Sequence, residues 1–158
     1  MDSPTFIMSH VVISAIAIIS GVAVIHGLVS ANRISRWTLL FLVTTTATSV
    51  TGFFFHRDQL LPSHIVGAVA LAVLALTCLA LYGFRLRGIW RAVYIVGAVL
   101  SLWFNVFVLI AQAFLKVPSL HVLAPRGSEP PFAIAQCIAL VVFIILGVRA
   151  SRRFHPEH

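Results

Sequence analysis

Four histidines, His10, His56, His64 and His121, are the side chains of this sequence best suited to holding a ligand. A neutral imidazole is the commonest biological metal ligand, because one ring nitrogen can bind while a neighbour fixes the other. His10 and His64 each stand at the start of a long apolar segment, and His56 follows the end of another. A bis-histidine haem needs one imidazole on each side of the porphyrin. His10 and His64 are the expected axial pair for a haem b, with His56 and His121 as alternates. The same four residues are candidate ligands for a transition metal such as copper or zinc. With Met1 and Met8 the only methionines, thioether-based Cu(I) trafficking is disfavoured. The alternative is an imidazole at a membrane boundary that reaches headgroups and water and binds no cofactor.

The elements that position these residues follow from composition. The chain of 158 residues is 60% hydrophobic and 9% charged, whereas soluble domains carry about 25% charged residues. This marks an integral membrane protein whose first partner is the lipid bilayer. A net charge of +7 does not indicate nucleic acid, because the arginines sit in short connections between apolar runs. Five segments, at roughly 6–31, 37–55, 63–84, 90–115 and 132–148, are long enough to cross a hydrocarbon core of about 30 Å. They lack the alternation of a barrel strand, so helices are expected. The predicted fold is all-α, a bundle of five transmembrane helices forming a single domain over 1–158. The first apolar run follows Met1-Asp2-Ser3-Pro4 without a basic flank, and it is expected to stay as an anchor.

Arg33, Arg36, Arg85, Arg87, Arg91, Arg149, Arg152 and Arg153 fall on one side of this arrangement, and Arg57, Lys116 and Arg126 on the other. The positive-inside rule then puts the N-terminus outside and the C-terminus in the cytoplasm, as in a bacterial inner membrane. Trp37, Tyr82, Trp90 and Tyr94 would form an aromatic belt at the inner interface. The outer side has the link His56–His64 and a long loop over 116–131 that contains His121, Glu129 and four prolines. Loops of this length often act as lids or binding loops.

Helical phase gathers the polar residues into stripes. They are His10, Ser14 and Gly21 on the first helix, and Thr45, Ser49, Gly52 and His56 on the second. Gly67, Ala68, Ala75 and Cys78 follow His64 on the third, while Gly97, Ser101, Asn105, Gln112 and Lys116 share a face of the fourth. Gln136 lies near the outer end of the fifth. Primary amides in hydrocarbon must find partners, so Asn105, Gln112 and Gln136 mark the interior. His10, His56, His64, Gln112, Lys116 and Gln136 are expected in the outer third of the membrane. With Asn105 as lining and Trp103 as a floor, they would enclose an outward-opening cavity for a haem, a metal or a small hydrophobic, quinone-like ligand. The small residues after His64 would leave room for a flat macrocycle, with Phe53, Phe54, Phe55 and Trp103 packed on it. His26 is about 24 Å along the helix from His10 and cannot share its site.

No complete catalytic signature is present. The four acidic residues all lie outside the expected spans, and no GxSxG, HExxH or nucleotide-binding motif occurs. Asp58 or Glu129 could orient an imidazole, or both could be plain loop residues. Cys78 and Cys137 are separated within apolar runs and read as packing residues. The layout of helices with histidines near their ends resembles the general plan of small membrane b-type cytochromes and of some respiratory-complex assembly proteins. That likeness implies electron transfer or support of a redox complex. Two further readings stay open: a non-catalytic membrane subunit, whose stripes serve helix packing and docking to a partner or a second copy, and a small transporter or amphiphile-binding protein.

Overall fold

The computed structural model describes residues 3–32, 35–54 and 62–155, without the side chains of residues 62–64. All regular structure among them is helical: α1 (Pro4–Val29), α2 (Ser35–Gly52), α3 (Pro62–Cys78) running on into a π-helical turn (Leu79–Gly83), α4 (Ile89–Lys116), α5 (Pro118–His121) and α6 (Pro130–Arg153). Among the described residues, four spans are long and apolar enough to cross a membrane: Pro4–Val29, Ile65–Gly83, Ile89–Lys116 and Pro130–Arg153. The chain is a membrane protein built as a helical bundle. α2 is long enough but more polar, because it carries Arg36 and six threonines within its 18 residues. Several of those hydroxyls are satisfied inside the helix, Thr44 bonding to the Leu40 carbonyl and Thr46 to that of Leu42, both at 2.7 Å. Such back-bonding removes most of the cost of a hydroxyl away from water.

The helix ends differ from the sequence expectation in ways that capping explains. α1 and α6 both start two residues early, on Pro4 and Pro130. Proline suits the first helical turn, since it has no N–H to leave unpaired and its φ is already helical. α6 also continues past Val148 to Arg153, because its last turn has a partner for its carbonyls. The Arg91 guanidinium donates to the Phe154 carbonyl at 2.5 Å and to that of Ser151 at 3.3 Å. These are the terminal carbonyls a helix leaves unmatched, and a cation there also favours the helix dipole. Phe154 folds back beneath this clamp against Tyr94, which is fully buried. Tyr94 therefore belongs to the core and not to the expected aromatic belt, whereas Trp37 and Tyr82 are exposed.

α1, α2, α3 and α4 form a ring in which each helix packs on the next and α4 returns to α1, while α6 lies along the groove between α4 and α1. Successive helices run antiparallel, which gives the bundle an arginine end and a histidine end. Two glycines set the spacing. A Cβ on Gly97 would collide with the Thr77 hydroxyl, so α3 and α4 approach closely there. At Gly21 it would meet Leu102 at 2.6 Å and Phe41 at 2.8 Å, where α1, α2 and α4 converge. Lipid tails are as apolar as leucine, so helices in a membrane associate through such close approach rather than through the hydrophobic effect. The outward faces carry large apolar side chains such as Met8, Ile19, Val43 and Ile138, as a lipid-facing surface requires.

The main buried apolar cluster is asymmetric. It gathers Val24, Leu28, Phe41, Leu74, Leu81, Ile95, Leu102 and Phe143 toward the arginine end. Replacing Gly97 by Ala is expected to destabilise the bundle by about 1–3 kcal/mol, the usual cost of overpacking. Adding Thr77→Ala should restore most of it, as a double-mutant cycle of thermal unfolding in detergent would read.

Candidate functional site

α1 and α2 are joined by polar contacts at the histidine end. His10 is half-buried, and its Nδ1 lies 2.8 Å from the Thr51 hydroxyl. Thr51 has a single hydroxyl hydrogen, which it gives to the carbonyls of Ala47 at 2.7 Å and Thr48 at 3.2 Å. The same oxygen meets the ring, so Thr51 ties His10 to the backbone of α2. One turn deeper, the Ser14 hydroxyl donates to the His10 carbonyl at 2.8 Å and lies 3.4 Å from the Thr48 hydroxyl. The second contact is long and weak.

The seam continues to α4. Asn105 Nδ2 donates to the buried Thr45 hydroxyl at 3.3 Å and to the Ser101 carbonyl at 3.2 Å. Ser101 Oγ is buried and has no hydrogen-bond partner among the described residues. Below it, Phe41 and Leu102 close over Gly21 and end the polar path. Gln112 is half-buried on the α4 face that carries Asn105, two turns nearer the histidine end. Lys116 is exposed at the end of α4, about one turn beyond Gln112. Of the expected site residues, His10 and Asn105 make hydrogen bonds in this seam, while Gln112 and Lys116 lie further along the α4 face that carries Asn105.

Trp103 and Gln136 lie elsewhere. Trp103 is about 200° around α4 from Asn105, packed against Phe104 and Phe107 with ring centroids 5.1 and 5.8 Å away. Gln136 Nε2 donates to the Phe107 carbonyl at 3.1 Å, across the junction of α4 with α6. The indole Nε1 of Trp103 and Oε1 of Gln136 are both buried without a partner among the described residues. The floor of the seam is therefore Phe41 and Leu102, while Trp103 borders α6.

His121 is exposed at the end of α5. His56 and the side chain of His64 lie outside the described residues, although the His64 backbone is in the first turn of α3. Among the described residues no three His, Cys, Asp or Glu side chains gather as a metal site. The space expected over Gly67 holds the Phe53 ring, which a Cβ there would meet at 3.1 Å, and Ala68 and Ala75 are exposed. A separate groove of about 610 Å³ runs along α1 past Thr5, Met8, Ser9, Val12 and Ile13, on a face turned away from His10.

Glu129 takes no part in orienting a histidine among the described residues. Its carboxylate accepts from the backbone N–H of Arg126 and of Ser128, both at 3.0 Å, and closes the turn at Gly127 before α6. Desolvation pushes this carboxyl up, but the two N–H groups and the Arg126 charge outweigh it and hold it below its ordinary value. A depressed value means that the turn is favoured at neutral pH and loses that support as pH falls through it. The amide protons of Arg126 and Ser128 should lose exchange protection on acidification, with a midpoint below that of a free glutamate near about 4.3. Glu129→Gln should abolish the pH dependence.

Thr48 and Thr51, which face α1, fall outside the α2 stripe read from helical phase. Antiparallel register was the available signal, because Gly21 opposite Phe41 brings positions 10 and 14 opposite 51 and 48. No family model, characterised protein or solved structure matches the chain.

Proposed function

We propose that the chain crosses the membrane five times, N-terminus outside and C-terminus in the cytoplasm, and holds a haem or transition-metal ion at the outer end of the α1–α2–α4 seam for electron transfer or support of a redox complex. The observation that carries this reading is the His10–Thr51–Ala47 relay. A ligating histidine characteristically has its other ring nitrogen held by a fixed partner, and Thr51, bonded to the Ala47 carbonyl, is such a partner. His64 is the second axial ligand, with His56 and His121 as alternates, and Asn105 and Gln112 border the seam. The main buried apolar cluster lies toward the opposite end, which leaves the polar seam at the histidine end.

α2 supplies the fifth crossing. It spans about 27 Å; within the ring α1 and α3 flank it, Thr38 and Thr45 are buried, and the exposed Thr46 bonds to the Leu42 carbonyl of its own helix. Arginines at one end of the bundle support the orientation, which is that of a bacterial inner-membrane protein. Reporter fusions after His121 and after Phe154 should therefore report opposite sides of the membrane. The same side for both would remove one crossing.

After haem-replete expression, the detergent-purified protein should show a Soret band or a stoichiometric metal. His10→Ala and His64→Ala should each abolish it. Thr51→Val should weaken retention about 10–100-fold, the usual effect of losing the group that orients a ligating histidine. A colourless, metal-free preparation would overturn the cofactor assignment.

A second reading has its own support. Asn105 and Gln136 each spend an amide hydrogen across a helix junction, on Thr45 and on the Phe107 carbonyl. That use fits a non-catalytic subunit whose polar groups lock helices together and whose apolar α6 surface, with Ile134, Ile138, Val141 and Ile145, docks to a membrane partner or a second copy.

A further inference from the structure

The arginine end contains a second polar recess, independent of the histidine seam. Ser35 and Thr38, in the first turn of α2, face Leu81 and Tyr82 of the π-helical turn and Arg85 just beyond it, around a cavity of about 370 Å³. Three hydroxyls, one guanidinium and an apolar floor make up the lining. Leu81 forms the floor and is buried, while Arg85 and Tyr82 are exposed at the mouth.

The backbone is unusual at this place. π-helical turns are rare and are frequent at functional sites. Arg85 and Leu86 then take positive φ of 49° and 60°, a conformation that disfavours side chains with a Cβ. The strain is held by Leu86, whose side chain is buried in the core and whose N–H donates to the Ala80 carbonyl at 3.0 Å. This anchor sets the backbone of the neighbouring Arg85 beside the cavity. Strained backbone of this kind clusters at sites that bind ligands.

Charge selects the occupant. The one acidic side chain among the described residues is Glu129, which lies at the other end of the bundle. Arg91 is committed to the C-terminus of α6, whereas Arg85 meets no carboxylate among the described residues. A guanidinium beside several hydroxyls suits a phosphate ester, whose oxygens accept from both. In a membrane protein, a basic recess between helices at the bilayer boundary suits an anionic headgroup. We infer that the recess between α2 and the π-helical turn binds the phosphate of an anionic phospholipid, with Arg85, Tyr82 and Ser35 as its donors.

Native mass spectrometry of the full-length protein, titrated in detergent with phosphatidylglycerol or phosphatidylcholine, tests this. Phosphatidylglycerol should bind in one tight copy, and Arg85→Gln should weaken that binding about fivefold to tenfold. Arg149→Gln, an exposed arginine on α6, should change it less than twofold. Arg85→Lys should recover part of the affinity, and Tyr82→Phe offers a milder removal of a donor if Arg85→Gln does not fold. Equal losses at Arg85 and Arg149 would show diffuse charge attraction and overturn the site. So would equal binding of the zwitterionic lipid. Displacement of the lipid by equimolar glycerol phosphate would assign the recess to a free phosphate ester and overturn the lipid assignment.

Discussion

The close approach of α4 to its neighbours is the constraint on which the bundle depends. Gly97 admits the Thr77 hydroxyl, and Gly21 admits Leu102 and Phe41. In a membrane there is little gain from moving an apolar side chain from lipid to protein, so association rests on contact between closely packed surfaces and on internal hydrogen bonds. Two glycines on different helices thereby fix the separations of four helices. The polar side chains meet at hydrogen-bonding distance only because those separations are short.

The two ends of the bundle use these separations differently. Toward the arginine end, large apolar side chains fill the interior and Phe154 is clamped beneath Arg91. Toward the histidine end, the helices are joined by threonine, serine, asparagine and histidine contacts, several of them through hydroxyls already bonded to their own helix. One end is a packed base and the other is joined by polar contacts. The orphaned Ser101 hydroxyl lies where the two regimes meet.

Much of the site was legible in helical phase. His10, Ser14 and Gly21 share the α1 face turned to α2, and Asn105, Gln112 and Lys116 share one face of α4, because a period of 3.6 residues holds whatever the neighbours are. Phase says nothing about which neighbour a face meets. Trp103 and Gln136 were joined to His10 by membrane depth alone, and depth does not distinguish the two sides of α4. The proline-led starts of α1 and α6 were misplaced for a local reason, since proline reads as loop unless its position at the first turn is recognised.

Composition, apolar segment length and arginine placement determined by themselves that this is a helical membrane protein with a basic end and a histidine-bearing end. These are properties of single segments, fixed by the need to satisfy the backbone in hydrocarbon. Tertiary structure decided that Thr51 holds the His10 ring, that Phe41 and Leu102 close the seam, and that Leu86 holds Arg85 at a recess beside α2. Each of these depends on the register between two helices, and register is set by side chains that meet only after the bundle has packed.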